Sequence, residues 1–118
     1  MAFAVARGVA ESRIMLDPGI GFGKTVEHNL ELLRRLEEIA ALGRPVVIGT
    51  SRKSFLGTLT GRSDPGHRLA GTIATNVLGY ERGARIFRVH DVQPVVDALS
   101  VAAATVTPRW TLRTSSTT

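Results

Sequence analysis

A carboxylate, three alternating glycines and an ammonium stand close together in Asp17-Pro18-Gly19-Ile20-Gly21-Phe22-Gly23-Lys24-Thr25. Glycine has no Cβ, so main-chain atoms in such a run can approach a ligand closely. A basic stretch, Ser51-Arg52-Lys53-Ser54, and the pair Arg88 and His90 add further reactive groups. The set of carboxylate, ammonium, guanidinium and imidazole suits a substrate with an anionic end and a polar heterocycle. Asp17 can accept hydrogen bonds from an amino-substituted ring. Arg88 and His90 can hold and neutralise a departing phosphate or pyrophosphate.

Familiar phosphate motifs do not fit. A Walker A loop ending in Gly23-Lys24-Thr25 needs its first glycine where Pro18 stands. A dinucleotide fingerprint needs G-x-G-x-x-G, and Gly19-Ile20-Gly21-Phe22-Gly23 is one residue short. The sequence holds no Gly-x-Ser-x-Gly elbow and no clustered carboxylates or histidines for a dedicated metal cage, so no metal ligand is assigned. Each group also has a structural reading. Asp17 before Pro-Gly can make an Asx-turn, residues 51–54 can be a solvated loop, and Arg88 can pair with Asp91. His90 can be an ordinary loop histidine, and Phe22 either covers a ring or plugs the loop. His28 and His67 read as structural or surface residues.

These groups must be positioned by strands and helices, and the chain reads as strand, loop and helix three times over. Residues 13–16 form the first expected strand, and residues 26–42 its helix. Leu32, Leu33, Leu36, Ile39 and Ala40 fall on one face of that helix, and Glu31 stands four residues before Arg35 on the other. Gly43 is its expected terminator. The second strand spans residues 45–49, with Val46-Val47-Ile48 too continuously apolar for a half-exposed strand. A short helical piece to about Thr60 follows. A helix then starts at Asp64-Pro65, a capping acceptor before a first-turn proline, and runs to about Arg82. The third strand covers residues 84–89, and Asp91 is the expected cap of a helix over residues 92–104. Residues before Arg13 read as the end of a preceding helix.

Parallel strands joined by helices imply an α/β sheet with right-handed crossovers. The strand ends then converge on one face, where Asp17, Lys53, Arg88 and His90 can meet. The spacing matches one βα unit per strand of a (β/α)8 barrel. Such a barrel takes roughly 250 residues, whereas this sequence has 118. It therefore reads as a piece: residues 1–104 as part of a barrel, and residues 105–118 as a disordered tail rich in Pro, Thr and Ser.

With no cysteine, a disulfide framework is excluded. No apolar run reaches the length of a membrane span, and the opening residues do not read as a signal peptide. A cytoplasmic protein is expected. The formal charge of +5 suits a small anionic substrate. Its basic residues are scattered among acidic ones and aromatics are few, which argues against nucleic acid.

The three loops, in this order and spacing, resemble dihydropteroate synthase: Asp17-Pro-Gly-Ile-Gly-Phe-Gly-Lys24, Gly49-Thr-Ser-Arg-Lys-Ser54 and Arg88-Val-His-Asp91. His28-Asn29-Leu30 and Arg68-Leu-Ala-Gly71 are similar to that family as well. The resemblance covers about residues 13–104 and matches the family's C-terminal portion. It implies about three βα units at the C-terminal end of a (β/α)8 barrel of the pterin-binding type. It also implies the condensation of 6-hydroxymethyl-7,8-dihydropterin diphosphate with p-aminobenzoate, giving 7,8-dihydropteroate and pyrophosphate in folate biosynthesis.

Carried over by motif, Asp17 binds the pterin, and Lys53 contacts the pterin beside the aminobenzoate. Gly21 and Gly49 line the pterin pocket, and Phe22 and Ser54 touch the aminobenzoate. Arg88 and His90 bind the diphosphate, and Arg52 supports the site. The resemblance further implies Mg²⁺, with its protein ligand on a part of the family's sequence that has no counterpart here, and a homodimer. Two other readings stand beside it. One is an inactive fragment that binds a partner or itself through an open sheet edge; the other is a different pterin-binding barrel, such as a methyltetrahydrofolate methyltransferase.

Overall fold

The computed structural model describes residues 1–107. The chain opens with helix α1 (Ala2–Ala6) and a 3-10 turn (Glu11–Arg13). Helices α2 (Val26–Arg34) and α3 (Leu36–Ala40) come next, then strand β1 (Val46–Ile48) and helix α4 (Ser54–Thr60). A second 3-10 turn (Pro65–His67) leads into helix α5 (Leu69–Glu81). Strand β2 (Ala84–Phe87) and helix α6 (Val92–Val106) complete the described chain.

β1 is the central lane of a small parallel sheet, and all three of its residues are buried, as its uninterrupted apolar run requires. It pairs with β2 through Val46 with Ala84, Val47 with Ile86 and Ile48 with Phe87, with an irregularity between Val46 and Val47. On its other side Leu16 forms a single parallel bridge to Val46. Leu16 N–H donates to the Pro45 carbonyl and Val47 N–H to that of Leu16, each at 2.8 Å.

The first expected strand is thus reduced to one bridging residue. Its predecessor Arg13 ends the 3-10 turn, and the carbonyls of Ser12 and Ile14 accept from the Arg44 side chain at 2.9 and 3.1 Å. Pro18, two residues beyond Leu16, has no N–H to extend a ladder.

The core gathers Ile20, Leu33, Leu36, Val46, Ile48, Phe55, Leu56 and Ala84. Leu32, Ile39 and Ala40 pack against its edge, so the apolar stripe read from spacing is the one that faces inward. The expected long helix is broken at Arg35 (φ −105°, ψ 19°), where Glu38 N–H donates to the Arg35 carbonyl three residues back. Both Leu33 and Leu36 reach the core across this break.

The helix expected from Asp64 to Arg82 likewise divides at Arg68. Asp64 caps its first part, accepting from Gly66 N–H at 2.9 Å. α6 continues two residues past the expected boundary at 104, to Val106. From residue 108 the expected tail lies outside the described residues. Among the described residues no helix is long and apolar enough to cross a membrane.

Candidate functional site

The parallel sheet sets three loops side by side at the C-terminal ends of its lanes, and the reactive groups meet there. Asp17 follows Leu16. One of its oxygens accepts from Gly19 N–H at 2.8 Å, closing the Asx-turn. The other accepts from Arg88 Nη2 at 2.7 Å, across 71 positions. The Asx-turn expected of Asp17 is present, and the same carboxylate takes Arg88 as a second partner. Each oxygen keeps a further lone pair for a ligand, and Arg88 keeps N–H donors.

Lys53 precedes α4, and its ammonium donates to the Ile20 carbonyl at 3.0 Å. It also stands 4.1 Å from the centre of the Phe22 ring, a cation–π contact. Phe22 itself is 65% exposed, so it does not plug the loop. Gly21 has φ +91°, and a Cβ there would lie 2.6 Å from Lys53 Cδ. At Gly49 an added Cβ would come within 2.8 Å of Arg88 Nη2. Glycine at these two positions is what lets the lysine and the arginine lie flat against the backbone.

Phe22, Gly49, Ser51, Lys53, Arg88 and His90 line one cavity of about 210 Å³. Asp17 stands at its side through the bond to Arg88. Gly21 adjoins it beneath Lys53. Ser54 is placed differently: it begins α4, exposed and outside the lining. His28 lines a separate groove along α2 and α3, and His67 lies 3.9 Å from Asp64 on an exposed turn.

Further residues hold these groups in place. Arg52 takes φ +57°, the one positive φ outside glycine among the described residues. Its guanidinium grips both oxygens of Asp91 at 3.0 and 3.3 Å. Asp91 consequently makes no side-chain cap on α6, contrary to expectation, and it pairs with Arg52 rather than Arg88. Arg52 N–H donates to Thr72 Oγ1 at 3.1 Å, and the Arg52 carbonyl accepts from Arg68 at 2.9 Å. Buried Asn29 accepts from Gly21 N–H at 2.7 Å and so pins the glycine loop. Ser51 Oγ lies 2.8 Å from His90 Nδ1 and accepts from His90 N–H at 3.0 Å.

Two ion pairs cancel four of the charges here, Asp17 with Arg88 and Arg52 with Asp91. Neither Lys53 nor Lys24 makes a salt bridge among the described residues. The balance around the cavity is positive, which favours an anionic ligand.

The model of a family described as pterin binding enzyme matches residues 1–90. Dihydropteroate synthase of Neisseria meningitidis serogroup C is 50% identical over 99 residues, covering 83% of this chain and 35% of that protein. The Escherichia coli dihydropteroate synthase is 43% identical over 102 residues, 86% of this chain and 36% of that one. The chain thus spans about a third of the length of the curated relatives it matches.

Among solved structures, the Xanthomonas albilineans dihydropteroate synthase in complex with 7,8-dihydropteroate superposes with a TM-score of 0.87 at 44% identity. The match covers 91% of this chain and 41% of that one. The Thermus thermophilus enzyme in complex with 6HMPPP gives 0.82 at 48% identity, over 87% of this chain and 40% of that one. The small parallel sheet and its helices are therefore a partial α/β unit of the (β/α)8 barrel that these enzymes form.

Proposed function

The chain belongs to the pterin-binding enzyme family, and from that premise we propose that its strand-end cavity is part of a dihydropteroate synthase site. The substrates are 6-hydroxymethyl-7,8-dihydropterin diphosphate and p-aminobenzoate. The observation that carries this reading is the convergence of Phe22, Gly49, Lys53, Arg88 and His90 on one cavity with Asp17 beside it. These are groups for an amino-heterocycle, an aromatic ring and an anion.

In this mechanism Asp17 accepts from the amino-substituted pterin, and Lys53 hydrogen-bonds the same ring. Gly21 and Gly49 let Lys53 and Arg88 lie close to the backbone beside it. Arg88 and His90 hold the diphosphate oxygens while the carbon–oxygen bond to the pterin methylene breaks and the electron pair leaves with pyrophosphate. The pterin cation that remains lies beside the Asp17 carboxylate, which stabilises it. The neutral amine of p-aminobenzoate then forms the new carbon–nitrogen bond and gives up a proton to solvent. No covalent intermediate with the protein is required. Phe22 is placed to cover the aminobenzoate ring, and Ser54, the first residue of α4, is assigned to the same substrate.

Substrate entry exchanges partners at the ion pair. The pterin takes up Asp17 and the diphosphate takes up Arg88, so each charge keeps a counterpart throughout. Magnesium fits less well. Among the described residues no three His, Cys, Asp or Glu side chains come together, and Asp17 is engaged by Arg88 and Gly19. These side chains do not make a magnesium site, and any ion of the whole enzyme is held by other groups. A cytoplasmic location, a homodimer and the lack of a nucleic-acid partner belong to the same reading.

Calorimetric titration with the pterin diphosphate tests it, with Asp17→Ala alongside. Saturable binding by the native chain that the variant loses is the expected result. Binding left unaltered in Asp17→Ala would remove the pterin role from this carboxylate.

A further inference from the structure

Resting on the anion role given above to Arg88 and His90, we propose that Ser51 is a positioning residue. It fixes the neutral His90 ring as its Nε2–H tautomer, so that the imidazole donates a hydrogen bond to the leaving diphosphate. Ser51 is only 6% exposed, and two bonds join it to the residue it positions. His90 N–H donates to Ser51 Oγ at 3.0 Å, and that same oxygen lies 2.8 Å from His90 Nδ1.

A serine hydroxyl has one proton to give and two lone pairs to receive. A buried hydroxyl left without an acceptor loses the free energy of a hydrogen bond with water and regains nothing. Among the described residues Nδ1 is the one acceptor that Ser51 Oγ meets. Were Nδ1 to carry the ring proton, Oγ would face two donors, His90 N–H and Nδ1–H, and its own hydrogen would point at nothing. With Nδ1 bare, the hydroxyl proton has its acceptor: Oγ–H donates to Nδ1, and Oγ accepts from His90 N–H. The proton of the neutral ring then resides on Nε2, because the bond made by one ring nitrogen decides the state of the other.

Nε2 has no protein partner among the described residues, and His90 lines the cavity together with Arg88 and Ser51. A donor is thereby presented to the cavity beside a guanidinium. The same two bonds tie the loop after β1 to the loop after β2. The neighbouring Arg52–Asp91 pair bridges those loops a second time, which keeps Ser51 and His90 in register.

The test is a long-range proton–nitrogen correlation of the histidine rings in the full chain, at a pH where the imidazoles are neutral. His90 is assigned by the resonances that vanish in His90→Gln. The expected result for the native chain is a bare Nδ1 and a protonated Nε2; a protonated Nδ1 overturns the proposal, even if Ser51→Ala does not fold. In Ser51→Ala the Nδ1 resonance should move as its donor is lost, and affinity for inorganic pyrophosphate should fall about fivefold.

Ser51→Thr, which keeps the hydroxyl, should restore both readouts. Ring resonances unmoved in Ser51→Ala also overturn the serine's role. Pyrophosphate binding that is absent from the native chain, or unchanged in His90→Gln, overturns the underlying anion site. The ring spectrum tells that failure apart from a failure of Ser51.

Discussion

On the outer face of α2 and α3, most charged side chains pair with near neighbours in sequence, Glu37 with Arg82 being the exception. Glu31 meets Arg34 at 3.0 Å, and Arg35 binds Glu38 through two nitrogens. At the strand ends, Asp17 reaches Arg88 across 71 positions and Arg52 reaches Asp91 across 39. Exposure alone does not separate the two groups strongly: Arg88 is 57% exposed and Arg34 54%. An exposed pair contributes about 0–1 kcal/mol wherever it lies. The difference is in what each pair holds. The helical pairs join residues three or four apart that the turns of α2 and α3 already bring together. The strand-end pairs join loops that nothing local would align, and so they aim the groups proposed to touch substrate. Binding, more than stability, should therefore tell the two regions apart.

The largest effect is expected from Arg88→Ala. Loss of a charged hydrogen-bonding partner to an anion costs about 1.5–3 kcal/mol, hence about 10- to 100-fold in affinity for the pterin diphosphate. Arg34→Ala should leave that affinity unchanged by calorimetry, while the melting temperatures of the two variants stay close. Equal losses of affinity in both would break the distinction between the regions.

Next in size is Gly21→Ala. At φ +91° an alanine is strained, and its Cβ would press on Lys53 Cδ. A loss of about 1–3 kcal/mol is expected in urea unfolding, together with weaker pterin binding as Lys53 is displaced. A variant of native stability would mean that the loop relaxes freely and does not seat the lysine.

Arg52 sharpens the comparison, because it combines a pair with a strained backbone at φ +57°. Arg52→Ala loses the pair with Asp91 and keeps the strain, for a cost of about 1 kcal/mol. Arg52→Gly loses the same pair but relieves about 1 kcal/mol of left-handed strain, so it should unfold nearer the native midpoint. Both should weaken ligand binding, since both free the loop that carries Lys53. If Arg52→Gly recovers binding along with stability, the backbone conformation matters there and the ion pair does not.

This division also explains what could be read in advance. Periodicity finds groups that one helix brings together, so the apolar stripe ending in Leu36, Ile39 and Ala40 and the pairing of Glu31 with Arg35 were legible; the latter is present at 3.9 Å. Motif order found Asp17, Lys53, Arg88 and His90, because strand ends converge whatever the sequence between them.

Spacing could not show which carboxylate takes which arginine. Asp91 stands beside Arg88 in sequence yet pairs with Arg52, a choice made by how β1 and β2 align. Asn29 could have been suspected as an amide on the inward side of an apolar helix. The break at Arg35 carries no glycine or proline signal, whereas Pro65 and Gly66 stand just before the one at Arg68. The break at Arg35 arises where Leu33 and Leu36 must both reach the core, which only the assembled packing decides.

The smallest expected effect tests the helical side. The hydrogen bond from Arg35 holds the Glu38 carboxyl below the usual glutamate range. A carboxyl whose pKa is lower in the folded chain contributes stability above its unfolded pKa and loses it as pH falls through the folded one. In urea unfolding, Glu38→Gln should therefore be slightly less stable than the native chain at neutral pH. The gap should close in acid, below the ordinary glutamate range, where the native carboxyl is protonated as well. Both partners are more than half exposed, 62% and 56%, so solvent screens the pair and the gap stays small even where it is widest. Affinity for pterin diphosphate should not change. A large neutral-pH loss in Glu38→Gln, or any loss of ligand affinity, would show that the outer face of α2 and α3 shapes the site after all.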